Sequence, residues 1–78
     1  MPSLDQLQVG QRAVIESVRG EGTVVQRLYE MGLLEGESVE LIGFAPLGDP
    51  LEIRLQDYRL SLRRREAGQV QVRLLDEQ

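Results

Sequence analysis

Residues 23–50 read TVVQRLYEMGLLEGESVELIGFAPLGDP, and the rest of the chain is organised around this stretch. Val24, Val25, Leu28 and Met31 fall at i, i+1, i+4 and i+7, a spacing that predicts a short helix with one apolar face. Gln26, Arg27 and Glu30 take the opposite face. Gly32 follows where a helix end wants a residue that accepts positive φ, and the Thr23 hydroxyl can cap the other end. About eight residues at 1.5 Å each make a helix of roughly 12 Å, too short to persist alone in water. It needs a sheet to lie on. From Ser38 to Phe44 the pattern alternates, with Val39 and Leu41 facing one way and Ile42 and Phe44 the other. Gly43 inside that strand marks a bulge or bend. Residues 45–50 form a loop, because Pro46 and Pro50 have no N–H to give a ladder.

Working outward, Pro2 to Gly10 reads as a lead-in whose single turn is capped by Ser3, with Leu4 and Leu7 on one side. Arg12 to Val18 alternates Val14, Glu16 and Val18 against Ala13, Ile15 and Ser17, a first strand more buried on one side. Leu33 to Gly36 is a tight connection, in which Leu33 is expected to pack under the helix end. Leu51, Ile53 and Leu55 face inward from a third strand; Gln56 to Tyr58 turn the chain; Leu60 and Leu62 face inward from a fourth, Arg59 to Leu62. Arg63 to Gly68 is one helical turn, and Val70, Val72 and Leu74 face inward from a fifth strand before a polar tail. The expected core is Val14, Val24, Leu28, Met31, Val39, Leu41, Ile53, Leu55, Leu60, Leu62, Val70 and Val72. Five short strands with one helix between the first two predict a mainly β, small SH3-like barrel over residues 1–78, closure removing the exposed edges. An OB-like barrel is the alternative.

Composition narrows the function. A chain of 78 residues supports one domain and one modest core. It has no cysteine and no histidine, which removes thiolate and imidazole ligands and the commonest general base. A reducing compartment, the cytoplasm, is the expected home. No apolar run is long enough to span a membrane, and MPSLDQLQVG has no signal-peptide character. A net charge of -4 argues against nucleic acid as partner. One Phe, two Tyr and no Trp leave little aromatic surface for stacking bases. The serines Ser17, Ser38 and Ser61 have no histidine to activate them, no phosphate-cradling loop is present, and an enzyme is not expected. The carboxylates Glu30, Glu35, Glu37, Glu40, Asp49, Asp57 and Glu66 follow no EF-hand order and read as solvated surface, so no metal or cofactor site is assigned.

Three blocks carry a resemblance: Leu28-x-x-Met31-Gly32-Leu33-x-x-Gly36, then Ala45-Pro46-Leu47-Gly48-Asp49-Pro50, then Leu60-x-Leu62-Arg63-x-x-Glu66-Ala67 with Val70-x-Val72. In this order they resemble the FeoA family, over about Leu4 to Val72. The turn Gln56-Asp57-Tyr58 departs from it, since many relatives have glycine there. The resemblance implies a small cytoplasmic SH3-like protein that binds the cytoplasmic portion of a FeoB-like ferrous iron transporter and supports or regulates uptake, touching the membrane only through that transporter. The alternative it implies is a metal- or regulator-sensing adaptor related to the C-terminal domain of iron-responsive repressors. The expected partner surface joins Tyr29, Leu33 and Leu34 at the helix end to Pro46, Leu47, Gly48, Asp49 and Pro50. Arg63, Arg64 and Arg65 are either a solvated turn or a patch that steers an acidic partner.

Overall fold

The computed structural model describes residues 2–75. A 3₁₀ turn (Leu4–Gln6) leads into β1 (Arg12–Val18), α1 (Gly22–Glu30), β2 (Ser38–Phe44), β3 (Leu51–Leu55), β4 (Tyr58–Leu62), α2 (Arg64–Ala67) and β5 (Val70–Leu74). The strands form one antiparallel sheet in the order β4-β3-β2-β1-β5. Among the described residues no ladder joins β4 to β5, so the sheet curls without closing, contrary to the expected barrel closure. The gap between those strands is bridged by α2, whose Ala67 is fully buried. The free edge of β5 is covered by the lead-in: the Val72 N–H donates to the Pro2 carbonyl at 2.9 Å, and Ser3 bridges Gln71. Leu4 and Leu7 then drop into the core. An edge can be protected by covering it as well as by pairing it. No helix among the described residues is long and apolar enough to cross a membrane.

Leu28, Val39, Leu41, Ile53, Leu55, Leu62, Val70 and Val72 are buried as expected, and Met31 and Leu60 pack half-buried against them. Two of the expected core residues are not inside. In β1 the inward parity belongs to Ala13 and Ile15, which pair with Val39 and Val72, while Val14 lies opposite Ser38 and Arg73. Both faces of that strand carry apolar residues, and the register of its neighbours selects between them. Val24 is 38% exposed, because α1 fully buries only Leu28. Leu74 has the parity of Val72 but is largely exposed at the end of β5. Thr23 lies inside the first turn of α1, and Glu21 holds the cap position without a side-chain hydrogen bond.

Local signals otherwise hold. The β2–β3 register shifts between Leu41 and Gly43, a bulge at the glycine-marked site. Gln56 has φ 52, the left-handed conformation that disfavours most side chains, at the turn where the family resemblance expects glycine.

Candidate docking surface at the two ends of β3

The register of the sheet separates the expected surface into two parts. At one end of β3, Val39, Leu55 and Tyr58 are neighbours across β2, β3 and β4; at the other, Phe44, Leu51 and Leu62 are. The α1 terminus belongs to the first end and the β2–β3 loop to the second. A five-residue strand holds them roughly 13 Å apart, at ≈ 3.3 Å per residue. The expected surface therefore has two parts, set one strand length apart.

At the first end α1 closes with a Schellman arrangement. The Gly32 N–H donates to Tyr29 O at 2.9 Å and the Leu33 N–H to Leu28 O at 3.1 Å, with Gly32 at φ 99. Leu33 follows this reversal into the core and is 0% exposed, so it supports the surface and offers no atoms to a partner. Leu34 next to it is 45% exposed. The Tyr58 hydroxyl donates to Met31 O at 2.9 Å and lies so close over Gly32 that a Cβ there would sit 2.1 Å from it. Tyr29, half-buried, donates to Glu35 Oε2 at 2.8 Å, and Gln56 to Glu37 Oε1 at 2.7 Å. The hydrogen bond to the Glu35 carboxylate, helped by partial burial and the negative charge, raises the Tyr29 pKa above its ordinary value. This end is thus an acidic rim with Leu34 and two tyrosines.

At the second end the β2–β3 loop presents Leu47 almost fully, at 97% exposure, with Pro46 and Asp49 exposed and Gly48 and Pro50 half-buried. The loop is tied within itself by Gly48 N–H to Ala45 O at 2.7 Å and Ala45 N–H to Pro50 O at 2.9 Å. Arg64 ties it to α2. Its guanidinium donates to Gly48 O through Nη2 at 2.9 Å and Nε at 3.2 Å, and lies 5.1 Å from the Phe44 ring centroid, a cation–π contact. Its backbone N–H donates to Asp49 Oδ1 at 2.9 Å. Of the three adjacent arginines, Arg64 is a clamp, while Arg63 and Arg65 point their charge at solvent beside it. An open cleft of about 630 Å³ runs between Asp5, Asp49 and these arginines.

Beneath this end lies Glu66, read from sequence as a solvated carboxylate. It is 7% exposed, accepts from the Arg63 N–H at 3.0 Å and forms an ion pair with Arg27 of α1. This pair joins the two helices. Its spacing from Arg63 fits the half of a capping box in which a glutamate reaches back to the first N–H, a signal present in the sequence.

Residues 3–74 match the FeoA domain family. The chain belongs to the FeoA family. It is 40% identical over 72 residues to a Porphyromonas gingivalis Fe(2+) transport protein A/Fe(2+) transporter FeoB fusion protein, covering 92% of this chain and 8% of the fusion. The chain thus spans a small part of that relative's length. The FeoA protein of Chlorobium tepidum superposes with a TM-score of 0.87 at 39% identity, over 95% of this chain and 70% of that one. Stenotrophomonas maltophilia FeoA, solved with zinc and described as a procaryotic SH3 domain protein, superposes at 0.80 with 33% identity, over 92% and 89% of the two chains. The fold here is SH3-like in the same sense: mainly β, five antiparallel strands and small helices. A manganese-dependent transcriptional repressor shares the fold alone, at 9% identity and a TM-score of 0.86 over 95% of this chain and 36% of that one.

Proposed function

We propose that this protein is a cytoplasmic accessory factor of ferrous iron uptake that docks on the cytoplasmic part of a FeoB-like transporter and performs no chemistry of its own. The observation that carries this reading is the fusion relative, in which one polypeptide holds a FeoA unit and a FeoB unit together. A covalent link replaces a bimolecular encounter by a high effective concentration, an advantage only where the units work in contact. The two ends of β3 supply what such contact needs. Leu47 on its clamped loop, and Leu34 beside Tyr29, are apolar anchors on rigid supports, which lowers the entropy lost on docking. Arg63 and Arg65 add charge for steering.

The test is a calorimetric titration against the transporter's soluble cytoplasmic domain, paired with ferrous uptake in cells lacking this protein. Saturable binding and impaired uptake are expected; normal uptake with no binding ends the reading. Reversing the charge of Arg63 and Arg65 should slow association and flatten its salt dependence, and Leu47→Asp should speed dissociation.

The zinc in the S. maltophilia relative favours a second reading, a domain that senses metal directly. The residues here fit a resident zinc poorly. The chain has neither histidine nor cysteine, and no group of three or more candidate ligands converges among the described residues. Anaerobic titration with ferrous ion and with zinc separates the readings, since only the second requires saturable binding by this chain alone.

A further inference from the structure

The outer face of the sheet carries one cross-strand pair that stability does not explain, Arg54 facing Arg59. Arg12 pairs with Glu40, Glu40 with Arg54 and Arg54 with Arg59, so the four side chains form one row across β1, β2, β3 and β4. Their parity is opposite to that of the buried Ala13, Val39 and Leu55, and all three arginines are exposed. Like charges directly opposite each other destabilise an antiparallel pair, so Arg54 facing Arg59 is an unfavourable choice for a sheet. Arg59 finds an exposed partner diagonally, Glu52 at 3.4 Å. Among the described residues Arg12 and Arg54 form no ion pair, although Glu40 stands between them. Depressions of about 270 and 330 Å³ adjoin Arg54 and share its side chain and that of Gln56.

We propose that this row is a second docking surface, for an extended acidic segment of the transporter's cytoplasmic part. The proposal rests on the docking reading above. Strands ≈ 4.8 Å apart place Arg12 and Arg54 roughly 10 Å from each other, too far for one small anion to bridge and suited to successive carboxylates along a chain. Charge complementarity selects this occupant over the others. A second copy brings its own net charge of -4 against the same charge here, and an anionic bilayer meets the same overall repulsion. A short acidic segment is drawn to this row, where arginine outnumbers glutamate three to one, and needs to approach little of the remaining surface.

The experiment titrates the transporter's soluble cytoplasmic domain with the full chain at several salt concentrations, comparing wild type, Arg54→Glu and Arg19→Glu. Arg19 is exposed and lies outside the row, so its reversal controls for net charge. Arg54→Glu should weaken binding about tenfold and flatten the salt dependence, while Arg19→Glu stays close to wild type. Arg54→Glu exchanges a like-charged cross-strand pair with Arg59 for one with Glu40, so its Tm should stay within about 2 °C of wild type. A loss of affinity without a change in Tm separates a binding role from a structural one. Unchanged affinity and salt slope for Arg54→Glu, with wild type binding normally, overturns this inference and leaves the docking reading standing. Failure of wild type to bind removes both. Arg54-dependent self-association in sedimentation, or Arg54-dependent binding to phosphatidylcholine–phosphatidylglycerol vesicles, with transporter binding unaffected, overturns the choice of occupant.

Discussion

The two ends of β3 hold a connecting segment in place by opposite means. At the α1 end, the chain reverses at Gly32, sends Leu33 into the core and is covered by the Tyr58 hydroxyl. At the other end, Leu47 stays in solvent and the loop is held from outside by the Arg64 guanidinium. Core packing tolerates little change of volume, whereas a surface clamp orders a segment without filling space. The first end therefore contributes mainly to stability. The second keeps an apolar side chain ordered yet available.

Substitutions break this contrast in a definite order of size. Leu28→Ala removes the residue on which both α1 and its reversal rest, and should cost ~2–5 kcal/mol in urea unfolding; a wild-type transition would show that the helix does not seal the core. Gly32→Val should cost ~2–3 kcal/mol, from positive φ and from displacing Tyr58 off Met31 O. Combining it with Tyr58→Phe sharpens the assignment, because the clash is relieved and only the backbone cost remains. Glu66→Gln deletes the ion pair with Arg27 while keeping an acceptor for the Arg63 N–H. Arg27 is 58% exposed and stays solvated when released, so the loss should be only ~1 kcal/mol.

Smaller effects probe the clamp and the acidic rim. Arg64→Ala should lower global stability by no more than ~1 kcal/mol yet speed hydrogen exchange at the Gly48 N–H, which donates to Ala45 O. Unchanged exchange would mean that the loop orders itself. The smallest effect needs no unfolding. In a Tyr58→Phe background, ultraviolet titration should show Tyr29 ionising at higher pH than an ordinary tyrosine, and Glu35→Gln should bring it down, because a phenol that donates to a carboxylate is held in its neutral form.

Features set by short-range chemistry were legible in the residues. The helix end at Gly32, the bulge by Gly43, the loop between Pro46 and Pro50 and the alternation of Leu51, Ile53 and Leu55 each depend on conformations that nearby residues permit or forbid. Less was legible of the candidate site. Tyr29, Leu34 and Leu47 stand out as apolar groups away from the regular stripes, while Leu33, expected to pack under the helix end, is also counted on the partner surface with Leu34. Their fates diverge because the reversal at Gly32 points one into the core and the other away.

What the sequence by itself determined was the order and kind of the elements, their limits to within about two residues, and the family to which the three blocks belong. Periodicity, missing N–H groups and glycine φ act over a few residues, and the chain carries that information locally. Only the tertiary structure decided which face of β1 is inside, that the sheet stays open under α2 and the lead-in, and that Arg64 holds a distant loop. It also paired Glu66 with Arg27 and set Arg12, Arg54 and Arg59 in one row. Each of these depends on register between segments remote in the chain, and a one-residue slip in any strand would have turned the same side chains to the opposite face.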